Sequence, residues 1–115
     1  MRYALLISMD EVEYLNRTPD ESAASMAGYM EWQKEAAERG VLLSGERLHP
    51  TTDATTVRVR DGQVLTTDGP FAETKEQIGG FYLIDAKDLD EAIELASKIP
   101  GAKDGSVEVR PIWDM

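Results

Sequence analysis

The sequence predicts an α+β domain in the order β-α-β, hairpin, β-α-β, and three observations carry this. Residues 2–9 and Phe81 to Ala86 are apolar at consecutive positions, as in strands covered on both faces. Thr18-Pro19-Asp20-Glu21 and Asp88-Leu89-Asp90-Glu91 each combine a capping side chain with a glutamate three residues on, the local chemistry of a helix start. Asp61-Gly62 stands between two alternating segments, the strongest short hairpin signal.

In the first strand Tyr3, Leu5, Ile7 and Met9 point one way and Ala4, Leu6 and Ser8 the other. Residues 10–17 are polar and read as a loop. Thr18 then caps a helix with Pro19 at its first position, running to about Arg39 and stopped by Gly40. Its expected apolar stripe is Ala23, Met26, Ala27, Met30 and Ala37, with Trp32 off the stripe, at an edge or between subunits. Val41 to Ser44 is the second strand, ended by His49-Pro50, and residues 51–54 form a loop. Thr55 to Thr67 is a hairpin with Val57 and Val59 facing inward and Thr56, Arg58 and Arg60 outward. Asp68 to Gly80 is rich in turn residues and charge. After the Phe81–Ala86 strand, a second helix places Leu89, Ala92, Ile93, Ala96 and Ile99 on one side until Pro100-Gly101. Val107, Val109 and Trp113 mark the last strand.

Right-handed crossovers put both helices on one face of the sheet. The central strands are apolar on both faces, and the chain has no further helix for the second one. Another copy of the sheet, packed face to face, covers it most economically. The expectation is a single ferredoxin-like domain over residues 1–115, forming a two-fold homodimer as a dimeric α+β barrel.

Composition narrows the function classes. The 115 residues carry a net charge of −10, which disfavours direct nucleic-acid binding, and no basic cluster offsets it. There is no cysteine, hence no disulfide framework and no thiolate chemistry. The N-terminal apolar run is too short for a membrane span and is followed at once by Asp10, Glu11 and Glu13, so a cytoplasmic protein without membrane contact is expected. No spaced ligand set, phosphate loop or nucleophile motif is present, so no metal and no cofactor is expected.

The conspicuous run is Asp68-Gly69-Pro70-Phe71-Ala72-Glu73-Thr74-Lys75-Glu76, followed by Gly79-Gly80-Phe81-Tyr82-Leu83-Ile84. With Leu43 to Pro50 and Ala54 to Arg58, it resembles the YCII-related proteins, in the branch known by its DGPF motif. The resemblance spans essentially the whole chain. It implies the dimeric α+β barrel fold and, since some members are encoded beside or fused to extracytoplasmic-function sigma factors, a regulatory setting. The YciI-like branch is associated with a histidine–aspartate pair whose histidine lies in the first helix. This chain has Tyr29 at about that place and no histidine in that helix, so the pair does not carry over.

The candidate site residues follow from their chemistry. Asp68 is either a turn former or a general base or ligand anchor in a cleft between sheet and loop. Glu73 and Glu76, three apart, share a face if the segment is helical, and could then act as a catalytic pair; otherwise they are a solvated charged turn. His49, the sole histidine, could meet Asp68 if the loop folds back. Arg58 and Lys75 offer charge to an anionic ligand, and Phe71 could line a pocket or an interface. Two functions remain open: a small-molecule-binding protein or weak enzyme, or a non-enzymatic regulatory module linked to a sigma factor. The second predicts an exposed apolar patch and no buried carboxylates.

Overall fold

The computed structural model describes residues 1–114; Met115, the last residue of the expected domain, lies outside the described residues. Strand β1 (Arg2–Asp10) leads into a short helix α1 (Glu11–Leu15) and a long one, α2 (Pro19–Glu38). Strand β2 (Leu42–Arg47) and a 3-10 turn (Thr51–Asp53) precede a hairpin of β3 (Thr55–Arg60) and β4 (Gln63–Asp68). Strand β5 (Glu76–Asp85), helices α3 (Leu89–Ser97) and α4 (Gly101–Asp104), and strand β6 (Ser106–Pro111) complete the chain. The main sheet has the order β2-β5-β1-β6 with antiparallel neighbours throughout. The fold is α+β, and α2 and α3 share one core cluster with the sheet.

Local chemistry accounts for the element ends. Thr18 Oγ1 accepts from the Glu21 N–H at 3.1 Å, and Glu21 Oε1 accepts from the Thr18 N–H at 3.1 Å, closing a capping box. Those bonds hold the Glu21 carboxyl below its ordinary range. Gly40, at φ 72°, takes the left-handed position that ends α2. Asp61 and Gly62, at φ 51° and 74°, make the hairpin turn. Thr18→Ala removes the cap and is expected to cost about 1 kcal/mol in urea denaturation. It flattens the acid limb of stability only in part, since the alanine variant keeps the backbone N–H that is the larger cause of the Glu21 shift: Glu21 ionises more readily folded than unfolded, so its contribution is present above the ordinary carboxylate range and lost as pH falls through it.

Tyr3, Leu5 and Ile7 of β1 and Tyr82 and Ile84 of β5 face Trp32 and Ala36 of α2, and Ala92, Leu95, Ala96 and Ile99 around α3. This corrects the expected stripe of the long helix. Ala23, Met26, Ala27, Met30 and Ala37 are all exposed, and Trp32 is a core residue whose indole N–H donates to Leu95 O at 2.8 Å. A five-residue alternative, Ser25, Gly28, Tyr29, Trp32 and Ala36, turns inward instead because bulky aromatics gain more from burial than alanines do. On the second helix Leu89 and Ile93 are half-exposed, and Leu95, absent from the expected set, is fully buried. The polar 10–17 segment is not all loop, since Asp10 caps α1. Pro100-Gly101 begins α4 rather than simply ending a helix, and Trp113, beyond β6, is 89% exposed.

The hairpin departs most. It forms a separate two-stranded sheet. Val57 and Val59, expected to face inward, are 60% and 58% exposed. Among the described residues, every hydrogen bond made by residues 55–68 ends within residues 54–69. It is therefore an arm, and the radius of gyration of 16.0 Å exceeds the about 13 Å typical of a compact chain this long.

Candidate functional site

A cavity of about 510 Å³ lies between the helices and one end of the sheet. Its floor is the ends of β1, β2 and β5, and its walls are α1, the first half of α2 and the 47–50 segment. Sequence shapes this space in two ways. Pro19 forces a break between α1 and α2, so the two helices arch over the sheet instead of continuing as one. Gly45 leaves room for the Tyr82 ring, since a Cβ there would lie 2.3 Å from Tyr82 Cδ1. Tyr82 then stacks at 4.4 Å, centroid to centroid, on Trp32.

Apolar side chains including Ile7, Met9, Leu15 and Met26 line the cavity, with a few convergent polar groups. Tyr82 Oη accepts from Gln33 Nε2 at 2.7 Å. The Tyr29 hydroxyl sits beside the Gly101 backbone N–H. Neither phenol has an acceptor for its own proton among the described residues. Burial raises both phenol pKa values above the ordinary tyrosine value, with the neighbouring donors opposing it, so both groups are protonated donors at neutral pH. Arg47 donates to Tyr14 Oη and lies 5.7 Å from that ring's centroid. Among the described residues it has no carboxylate partner, whereas Arg17 is paired with Asp104 at 3.1 Å. Glu11 is occupied by the Thr51 backbone N–H and hydroxyl. The arrangement can hold an apolar body, donate two hydrogen bonds from phenols and present one guanidinium cation.

Of the candidates read from sequence, His49 lines this cavity. Its Nδ1 lies 3.0 Å from Asp53 Oδ2 on an exposed rim. The other six lie outside the lining. Asp68 ends β4, exposed, at the base of the arm. Arg58 is half-buried on β3. Phe71 is 82% exposed, and Glu73 and Lys75 are exposed in the bend between β4 and β5. Glu76 begins β5 and accepts from Ser106 Oγ at 2.9 Å. The segment from Gly69 to Lys75 contains no helix, so the shared helical face invoked for Glu73 and Glu76 does not exist. The Asp68-Gly69-Pro70 run does act as a turn. Gly69 at φ 100° donates its N–H to Ala54 O, and its carbonyl accepts from Thr56 Oγ1, pinning the arm's base.

Sequence reasoning passed over Tyr14, Arg17, Gln33 and Arg47 as site residues and met Tyr29 only where the resemblance led to expect a histidine. Their one available signal was the set of tyrosines and arginines that no amphipathic pattern required.

Fold and cavity together define an α+β protein with a mostly apolar, phenol-lined cleft under two helices. The chain belongs to the YCII-related domain family, whose profile matches residues 1–115. It is 43% identical over 114 residues to an uncharacterised protein of Rhizobium meliloti (strain 1021), covering 97% of this chain and 92% of that one. No helix among the described residues is long and apolar enough to cross a membrane.

Proposed function

We propose that the chain binds a small, mostly apolar molecule bearing an oxygen acceptor, a carboxylate or a carbonyl, in the cleft beneath α1 and α2. The observation that carries this is the pair of phenol protons, Tyr29 and Tyr82, without acceptors on the wall of a cavity of about 510 Å³. That volume and lining suit a small organic ligand. Arg47, lacking a carboxylate partner among the described residues, favours an anionic head group in a chain otherwise charged −10. The protein acts as a homodimer in the cytoplasm. The strand order supports reading the fold as ferredoxin-like with the arm inserted between its halves, and the Asp68–Glu76 run supports membership of the DGPF branch. Weak catalysis through Asp68, Glu73 or Glu76 requires one of them to reach a cleft whose lining, within one chain, includes none of them.

A thermal-shift panel tests the binding reading. Aliphatic and aromatic carboxylates and ketones are compared with the matching amines and alkanes. Carboxylates are expected to raise the melting temperature, by an amount equivalent to about 2.7 kcal/mol at a hundredfold excess over Kd, while amines leave it unchanged. A flat response to every acceptor-bearing compound would sink the reading.

A second reading, a non-enzymatic interaction module associated with a sigma factor, is favoured by a different observation. Among the described residues no polar or charged residue is buried, and Val57, Val59, Val64 and Phe71 are exposed together on and beside the arm.

A further inference from the structure

The β3–β4 arm has two chemically different faces. Cross-strand pairs Val59↔Val64, Val57↔Thr66 and Thr55↔Asp68 put three valines, two threonines and Asp68 on one face. The pairs Arg58↔Leu65, Arg60↔Gln63 and Thr56↔Thr67 make the other face predominantly polar. Val57, Val59 and Val64 are 60%, 58% and 69% exposed, an apolar strip that the arm's own chain leaves uncovered. The main sheet has a matching deficit. Ala4, Leu6, Phe81 and Leu83 alternate with the core residues, point away from the helices and are only half-buried. Arm and main sheet share no strand pairing, so the two surfaces do not satisfy one another within one chain.

We propose that the arm docks on a second copy of this chain, burying Val57, Val59 and Val64 against it and carrying Asp68 and Phe71 to the boundary between copies. The inference rests on the homodimer of the preceding reading and goes beyond it by assigning the arm. Charge favours a second copy as occupant. Residues 55–68 hold Arg58 and Arg60 against Asp61 and Asp68, so the arm is neutral and the whole −10 sits on the rest of the chain. A neutral arm approaches another copy of this acidic protein with little repulsion, whereas the body as a whole is repelled. Area points the same way. The six-residue edge strands rise roughly 20 Å and the central strands of nine and ten residues roughly 30 Å, over a width of roughly 19 Å, so the sheet face alone offers on the order of 500 Å². A stable dimer needs about 800 Å² per partner, and the arm's face, two six-residue strands wide, adds roughly 200 Å², bringing each copy to roughly 700 Å² and narrowing the shortfall that the sheet alone leaves.

Sedimentation velocity of the full chain across a wide concentration range tests this, comparing wild type with Val57→Ser/Val59→Ser/Val64→Ser and with the opposite-face control Arg60→Ser. Trp32 fluorescence confirms in each case that the body is folded. Wild type and Arg60→Ser are expected to be dimers, with the triple variant dissociating at roughly hundredfold higher concentration or more. Since the chain has no cysteine, a Val64→Cys variant carrying an environment-sensitive dye gives a second readout, blue-shifted as dimer forms. A wild-type dimer matched in affinity by the triple variant, with no dye shift, would overturn the arm's role and leave the homodimer standing. A wild type monomeric at all concentrations would overturn both and assign the valine face to a different protein.

Discussion

Trp32→Ala is expected to remove about 3–5 kcal/mol of unfolding free energy, the usual cost of deleting a buried aromatic. Trp32 is 5% exposed, stacks on Tyr82, and joins α2 to α3 through the bond from its indole N–H to Leu95 O. Alanine leaves a cavity between helix and sheet and removes one of the two donors to Leu95 O, which keeps its bond from the Lys98 N–H. A domain of this size holds about 5–15 kcal/mol in all, so the variant sits close to the folding threshold. Trp32→Phe separates the two contributions. It retains most of the packing and loses one hydrogen bond to a carbonyl that keeps another donor, so a smaller cost of about 1 kcal/mol is expected. Both are read from urea denaturation at one fixed protein concentration, because self-association adds to apparent stability. A loss below about 1 kcal/mol for the alanine variant, typical of surface changes, would place Trp32 at an edge, as the helical pattern alone suggests.

That pattern shows why much of the fold was legible and part of it was not. The helix starts at Thr18 and Asp88 and the turn at Asp61-Gly62 depend on interactions within a few residues, and all three form as read. The choice of buried stripe on α2 depends on what the sheet presents. Ala23, Met26, Ala27, Met30 and Ala37 make a plausible apolar stripe, but exposing alanines costs little, and the helix turns to bury Tyr29, Trp32 and Ala36. The valines of the hairpin alternate as a half-buried strand should, yet alternation says which residues share a face and not which chain covers it. The candidate site was less legible still. Asp68 to Glu76 stands out because its residues are contiguous, and its visible work in the fold is to turn the chain at the base of the arm. The cleft draws Tyr14, Tyr29, Arg47 and Tyr82 from four separate elements or their margins. No spacing along the chain announces a convergence made by tertiary packing. His49 was found because it is the sole histidine, and it stands on the exposed rim of the cleft, beside Asp53.

Tyr29→Phe and Tyr82→Phe are each expected to weaken the best-bound carboxylate of the panel by about 10- to 100-fold, measured by calorimetry. The reasoning starts from what phenylalanine keeps. It preserves ring and packing and deletes one donor, so the loss equals a hydrogen bond to a charged acceptor, about 1.5–3 kcal/mol. Stability should change little. Tyr82→Phe leaves Gln33 Nε2 unpaired, but Gln33 is exposed and water replaces the bond. If both phenols hold the same head group, the double variant loses less than the sum of the single effects, because one donor partly compensates for the other. The pH dependence carries an independent signature. Burial raises both phenol pKa values, so the donors stay protonated and affinity is flat through neutrality, falling only above the ordinary tyrosine range. Unchanged affinity in both phenylalanine variants would move the head group off the phenol wall, while leaving the cavity itself as the binding site.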